Sequence, residues 1–154
     1  MIGAGQGEEQ ILRDAEEVGR RIAEAGAVLV CGARTGVMEA ASRGASKAGG
    51  TVVGILPTLS TGDANPFVTH AVATGIGEAR NLAVVASGAA VIAVGGEWGT
   101  LSEIAYARKL GRPVVAIQSW TLRNRSGADL GIIEAQTPEE AVRAALSGAS
   151  DAQR

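Results

Sequence analysis

The segment from residue 89 to residue 110 places the strongest limit on what this chain can fold into. An apolar run at 89–94 leads into a glycine-rich turn at 95–99, and apolar residues at helical spacing follow. The run has the length and β-branched content of a strand buried on both faces of a parallel sheet. The segment therefore predicts a strand, a tight loop and a helix, which is the repeating unit of α/β proteins.

Strands and helices alternate along the rest of the chain. Further strands are predicted at 27–31, 51–56, 68–73, 112–117 and 130–135, and helices at 8–25, 37–48, 75–87 and from 137 onwards. We predict an α/β fold with an open, mainly parallel Rossmann-like sheet and helices on both faces. The length of 154 residues suits a single domain. We expect residues 1–147 to form this nucleotide- or phosphate-binding domain and residues 148–154 to form a polar, flexible tail.

The first residues have the pattern of a strand end followed by a glycine turn. Few apolar residues stand before Gly3, so we expect either a short first strand or residues ahead of Met1. The glycines at 3, 5 and 7 do not form the dinucleotide fingerprint, because Glu8 stands where its third glycine is needed. No acidic residue is well placed to bind a ribose, so a Rossmann-type NAD site is disfavoured.

Charge and residue content exclude several classes of function. The formal net charge is −2 and no basic stripe is present, so nucleic acid is not an expected partner. No apolar run reaches membrane-spanning length, so no membrane partner is expected. Cys31 is the single cysteine and His70 the single histidine. We therefore expect no metal site, and we expect a reducing, cytoplasmic compartment.

Two glycine loops follow predicted strands, and both are candidate anion sites. At 32–36 and at 95–99, glycines allow the backbone to turn tightly and a ligand to approach it closely. The first amides of the helix that follows have no intrahelical acceptor, so they favour an anion such as phosphate. Thr100 and Glu103 also match a capping box, however, and this alternative requires no ligand.

Two arginines support the anion-site interpretation. Arg80 falls in the first turn of a predicted helix, where a cation opposes the helix dipole unless an anion lies in front of it. Arg34 stands within the first glycine loop, either as a phosphate ligand or as an exposed surface residue. Because both loops lie at the carboxyl ends of strands, we predict one cleft with an anion at residues 96–100 and Arg80 facing it.

Three motifs in this order resemble the LOG-like Rossmann superfamily over nearly the whole chain. They lie at 31–41 (CGARTGVMEAA), 77–81 (GEARN) and 95–103 (GGEWGTLSE). The superfamily, long mislabelled lysine decarboxylase, includes phosphoribohydrolases that split cytokinin nucleotides and the molybdenum-cofactor carrier proteins. The Arg-Asn pair and the ending Gly-x-Trp-Gly-Thr-x-Ser-Glu are similar to the carrier branch.

The resemblance implies a role for each matching residue. Arg80 matches the hydrolase arginine that engages the substrate, and Glu103 matches the glutamate beside the ribose, so these two are the candidate catalytic residues. The candidate ligand- and phosphate-binding residues are Gly32, Arg34, Gly36, Asn81, Gly96, Glu97, Trp98, Gly99 and Thr100.

Departures from the hydrolase pattern leave two hypotheses open. Asn81 stands in place of lysine, and Glu97 and Trp98 stand where the hydrolases have a single residue. These changes favour a protein that binds or carries a phosphate-bearing small molecule, such as a nucleotide or a molybdenum cofactor as cargo. The retained Arg80 and Glu103 favour the alternative, a phosphoribohydrolase that cleaves the N-glycosidic bond of nucleoside 5′-monophosphates.

Apolar residues lie on more than one side of the helices that follow Arg80 and Thr100. They are Leu82, Val84, Val85, Leu101, Ile104, Tyr106 and Leu110. A helix on an open sheet needs a single apolar stripe, so the surplus predicts a second buried face. We therefore expect a homodimer or a higher homo-oligomer, as the resemblance also implies.

Overall fold

Seven strands and five α-helices alternate in the computed structural model, which describes residues 1–151. The strands are β1 (Ile2–Gly3), β2 (Leu29–Cys31), β3 (Val52–Leu56), β4 (His70–Ala73), β5 (Val91–Val94), β6 (Val114–Ile117) and β7 (Ile132–Glu134). The helices are α1 (Glu9–Glu24), α2 (Val37–Lys47), α3 (Arg80–Ser87), α4 (Trp98–Lys109) and α5 (Pro138–Asp151).

The paired strands all run parallel and form two adjoining sheets. One sheet has the order β1-β5-β6-β7 and the other the order β2-β3-β4. They meet where the Met1 amino group donates a hydrogen bond to the Val30 carbonyl oxygen at 2.7 Å. The strand order reverses at β1, and ligands of open α/β sheets bind at such a reversal, beyond the carboxyl ends of the strands.

The central strands bury side chains on both faces. In β5, Ile92 and Val94 belong to the core formed with α1, α2 and α5, whereas Val91 and Ala93 belong to the core formed with α3 and α4. Burial on two faces explains why this strand is a continuous apolar run rather than an alternating one. The predicted α/β class, with a parallel sheet between helices, is confirmed.

α1 and α2 pack at backbone distance because two glycines lie between them. A Cβ atom on Gly19 would collide with the carbonyl oxygen of Ala41, and a Cβ atom on Gly44 with that of Glu16. Arg43 of α2 also forms an ion pair with Glu16 at 2.9 Å. Because α2 starts directly after the first glycine loop, this contact fixes one wall of the region beyond the strands.

α4 begins earlier than the sequence predicts. It starts at Trp98, and Glu97 is the residue before it. Thr100 therefore lies inside the first turn rather than in front of it, and the predicted capping box of Thr100 and Glu103 is wrong. A capping contact of this kind does form at the start of α5, where the Glu140 amide donates to the Thr137 hydroxyl oxygen at 3.2 Å.

α5 continues past the boundary predicted at residue 147. Residues 148–151 are helical rather than a flexible tail, and the Ser150 hydroxyl donates to the Leu146 carbonyl oxygen at 3.1 Å. Alanine and serine do not stop a helix once a buried face anchors its earlier turns. The rest of the predicted tail, 152–154, lies outside the described residues. Within residues 1–151, no helix combines the length and apolarity needed to cross a membrane.

Candidate functional site

A cavity of about 510 Å³ opens at the carboxyl ends of β1, β2 and β5, where the strand order reverses. Three groups of residues line it. The first is residues 1–6, which form β1 and the turn after it. The second consists of Gly32, Arg34, Thr35 and Met38, and the third of Glu78, Arg80, Asn81, Glu97, Gly99, Thr100 and Glu103. The walls are therefore the first glycine loop on one side and the starts of α3 and α4 on the other.

Arg80 is a buried cation without a partner for all of its donors. It is the first residue of α3, its exposed fraction is 5%, and its buried Nε finds no hydrogen-bond acceptor within the described residues. Gly32 makes room for it, because a Cβ atom there would collide with the Arg80 guanidinium. Burying such a group without a full set of acceptors costs free energy, unless a ligand supplies them.

Glu103 is a buried carboxyl in the same cavity. Its exposed fraction is 7%. The pKa of Glu103 is raised to about 7, mainly by burial and to a smaller extent by Glu78, while Arg80 and the Met1 amino group act in the opposite direction. Near neutral pH this side chain therefore exchanges a proton readily, which is a property of groups in functional sites.

The first turn of α4 presents free backbone amides to the cavity. Because the helix begins at Trp98, the amides of residues 98–100 precede the first intrahelical hydrogen bond, which the Leu101 amide donates to the Glu97 carbonyl oxygen at 3.0 Å. The Glu97 side chain does not cap this turn. Gly99 and Thr100 line the cavity, so their amides are available to an anion.

The mouth of the cavity carries charges of both signs. Arg34, on the first glycine loop, is exposed. Glu78 and Glu97 are also exposed and lie near the starts of α3 and α4. Two carboxylates at the rim oppose the entry of an anion. Arg80, the buried cation, is therefore the charged side chain that can hold an anion.

Eight of the predicted site residues line this one cavity. They are Gly32, Arg34, Arg80, Asn81, Glu97, Gly99, Thr100 and Glu103. The other three, Gly36, Gly96 and Trp98, do not line it. A Cβ atom on Gly36 would collide with the backbone of Gly5, so this glycine lets two loops touch.

Trp98 points to a different part of the molecule. Its ring packs on Trp120 with the ring centroids 5.4 Å apart, and 76% of the residue is exposed. Trp120 in turn donates from Nε1 to the Glu97 carbonyl oxygen at 3.2 Å. The two indoles therefore brace the outer side of the second glycine loop.

Several cavity residues escaped the sequence analysis. The largest group is the turn after β1, including Gly3 and Gly5. The sequence contains the signal, since glycines follow a short strand there, although their spacing does not match the dinucleotide fingerprint. Met38 is half-buried and lines the cavity as well. Glu78 lines the cavity too.

The arrangement can bind an anion and move a proton, since it joins an incompletely paired guanidinium, free helix amides and a carboxyl with a pKa near neutrality. Among residues 1–151, no group of three or more histidine, cysteine, aspartate or glutamate side chains is placed to hold a metal ion.

The fold and the cavity together define a Rossmann-like α/β protein with a small-molecule site at the reversal of its parallel sheet. A model of the SLOG cluster4 family matches residues 1–142, and the chain belongs to this family. A relative in Archaeoglobus fulgidus, an uncharacterised protein, is 43% identical over 147 residues, which cover 96% of this chain and 93% of the relative.

Solved structures show the same architecture. The molybdenum cofactor binding protein from Rippkaea orientalis is 37% identical with a TM-score of 0.82, over 92% of this chain and 90% of that chain. The Moco carrier protein from Chlamydomonas reinhardtii is 31% identical with a TM-score of 0.82, over 97% and 95%. The resemblance to the LOG-like superfamily and to its carrier branch is thus confirmed.

Proposed function

We propose that this protein binds and carries a phosphate-bearing small molecule in the cavity at the carboxyl ends of β1, β2 and β5. The observation that carries the proposal is Arg80, a cation that is 5% exposed and whose Nε lacks an acceptor within the described residues. A phosphate would supply acceptors in the geometry that a guanidinium prefers. The Gly99 and Thr100 amides would complete its coordination from the helix start.

The cargo we propose is a molybdopterin-type cofactor or a nucleotide. A volume of about 510 Å³ lies within the range of sites that enclose ligands of this size. The solved structures named above are described as molybdenum cofactor binding and carrier proteins, and their likeness covers more than nine tenths of this chain. The carboxyl of Glu103 and the amide of Asn81, both buried, would then face the part of the cargo beyond its phosphate.

Thermal unfolding in sodium phosphate, compared with sodium chloride at equal ionic strength, tests the anion site. A ligand at 100 times its Kd is expected to raise Tm by about 5–10 °C in a domain of this size. Arg34→Ala should reduce the rise, because it removes one cation at the mouth. Arg125→Ala is the matched control, since this arginine is exposed and lies outside the cavity. An equal Tm in phosphate and chloride would contradict the proposed anion site.

The alternative function is hydrolysis of nucleoside 5′-monophosphates. The observation in its favour is the buried Glu103 carboxyl, whose pKa of about 7 suits proton transfer, in the cavity that also holds Arg80. Incubation with AMP separates the two functions within the same series of samples. Release of ribose 5-phosphate that Glu103→Gln abolishes would favour the hydrolase, whereas binding without release would favour the carrier.

We also propose that the chain forms a homo-oligomer through the outer face of α3 and α4. Leu82 of α3, Tyr106 of α4 and Leu110, which directly follows α4, are 42%, 41% and 46% exposed. Tyr106→Glu is expected to shift the protein towards monomer in sedimentation, because a charge does not tolerate burial in an apolar contact. Leu59→Glu is the control, since Leu59 is 90% exposed and lies on the loop after β3 rather than on α3 or α4. A wild-type monomer at tens of micromolar would contradict this proposal.

A further inference from the structure

Asn65, on the loop between β3 and β4, bonds to the first glycine loop from outside the candidate cavity. It is 9% exposed. Its side-chain amide nitrogen donates to the carbonyl oxygen of Arg34 at 3.0 Å and to the hydroxyl oxygen of Ser42, on α2, at 3.4 Å. Its backbone amide donates to the carbonyl oxygen of Ala33 at 2.9 Å. One residue therefore joins three segments of the chain: its own loop, the glycine loop at 32–36 and the helix that follows it.

The orientation of the Asn65 side-chain amide is fixed by its partners. Its oxygen accepts from the backbone amide of Phe67 at 3.2 Å, while its nitrogen faces the Arg34 carbonyl oxygen. A backbone amide can only donate and a carbonyl oxygen can only accept, so the reverse orientation would break both bonds. Aspartate could keep the first bond but not the second, and an apolar residue could keep neither.

The first glycine loop contains a strained residue beside these bonds. Ala33 is fully buried and has a φ of +61°, a region that residues with a Cβ atom rarely adopt. Its methyl group lies against Gly54 of β3, where a Cβ atom would collide with it. Such a conformation persists only when surrounding contacts hold it. The bonds from Asn65 end on the carbonyl oxygens of Ala33 and Arg34, so they restrain the two peptide groups that follow Ala33.

Those two peptide groups flank the Cα atom of Arg34 and set the direction in which its side chain leaves the backbone. Arg34 is an exposed cation at the mouth of the candidate cavity. Within residues 1–151, its guanidinium has no hydrogen-bond or ion-pair partner. The backbone is therefore what directs this side chain towards the cavity.

We propose that Asn65 is a positioning residue of the candidate site: its side-chain amide holds the first glycine loop in the form that directs Arg34 to the cavity mouth. Asn65 does not line the cavity itself, so it acts on a bound anion through Arg34. The effect on anion binding rests on the proposed function, whereas the hold on the loop does not. The two effects therefore have separate tests.

Trypsin cleavage after Arg34 tests the hold on the loop without any ligand. Asn65→Ala removes the side-chain bonds but keeps the backbone bond to Ala33. It is expected to raise the rate of cleavage after Arg34 by about two- to tenfold, the factor that one lost hydrogen bond gives, because the loop must open locally to enter the protease. Mass spectrometry of the first fragments measures this rate.

Asn124→Ala is the matched control for the trypsin experiment. The Asn124 side-chain oxygen accepts from the backbone amides of Ser126 and Ala128 at 2.9 and 3.0 Å, on an exposed turn outside the candidate cavity. Its replacement should leave cleavage after Arg34 unchanged. If Asn65→Ala does not fold, Asn65→Ser takes its place, because serine can still bond within its own turn but is too short to reach Arg34.

A double-mutant cycle in sodium phosphate tests the effect on anion binding. The Kd for phosphate, from Tm against phosphate concentration, is compared in wild type, Asn65→Ala, Arg34→Ala and the double variant. Asn65→Ala should weaken binding by about two- to fivefold, the range of an exposed charge contact, and should add almost no further loss once Arg34 is absent. A residue that only supported the fold would weaken binding equally in both backgrounds.

Equal cleavage after Arg34 in wild type, Asn65→Ala and Asn124→Ala would overturn the proposal. Additive losses in the cycle would overturn it as well, because Asn65 would then act on the anion by another route. A wild type without any response to phosphate would contradict the proposed function instead, and the trypsin comparison would then decide alone whether Asn65 holds the loop.

Discussion

Replacing Glu103 with glutamine is expected to stabilise the protein by about 3 kcal/mol at pH 8 and to have little effect at pH 4. Burial raises the pKa of Glu103 from 4.5 to about 7, so the folded state holds this proton more tightly than the unfolded state does. Well below pH 4.5 the carboxyl is neutral in both states, so its ionisation does not change the free energy of unfolding. As the pH rises from 4.5 towards 7, the Glu103 carboxyl ionises in the unfolded state but stays largely protonated in the folded state. The free energy of unfolding therefore falls. Urea denaturation of both proteins from pH 4 to pH 8 measures the difference.

Glu97→Gln is the matched control for this prediction. Glu97 lines the same cavity but is exposed, so its replacement should leave the pH dependence of unfolding unchanged. If wild type and Glu103→Gln show parallel stability curves across this pH range, the buried carboxyl does not titrate as described. The result is independent of any ligand and of the choice between carrier and hydrolase.

Arg80→Met is expected to remove the stabilisation by phosphate and, without phosphate, to make the protein more stable. Methionine keeps much of the buried length of arginine and leaves no donor unpaired, which is worth about 1–3 kcal/mol. The loss of a charge-assisted contact should weaken phosphate binding by about 10- to 100-fold. Measurement of Tm against phosphate concentration at pH 6, where Glu103 is mostly neutral, separates the two effects.

Two further variants check the position of the guanidinium. Arg125→Met removes an exposed arginine outside the cavity and should change neither the phosphate response nor the stability. Gly32→Ala keeps Arg80 but adds a methyl group where the guanidinium lies, so it should weaken phosphate binding through displacement. A full phosphate response in Arg80→Met would show that the anion binds elsewhere.

The parallel sheet and most of the cavity could be predicted from local patterns. Apolar runs such as 91–94 identify buried strands, and a glycine loop after a strand faces the edge where ligands bind. Arg80 was found because its place in a first helical turn contradicts the helix dipole. Such signals are contained in ten or fewer neighbouring residues, so the sequence displays them directly.

The remaining features depend on contacts between distant parts of the chain. The start of α4 could be placed at Thr100 or at Trp98 by capping rules alone, and the fold selects Trp98. The part played by the turn after β1 follows from its position beside the starts of α2 and α4. Gly36 is required by Gly5, which is 31 residues earlier in the sequence, rather than by a ligand. No local pattern contains that information.

The backbone contact between α1 and α2 gives the two walls of the site different freedom to move. Gly19 and Gly44 leave no gap into which α2 could retreat, so the loop at 32–36 has a fixed platform behind it. The opposite wall rests on the side-chain packing of α3 and α4, whose outer face carries exposed apolar residues. In the proposed carrier function, movement of α3 and α4 would therefore widen the cavity more readily than movement of α2 and so ease the exit of the cargo. A neighbour bound to that face would then govern how long the cargo resides in the protein.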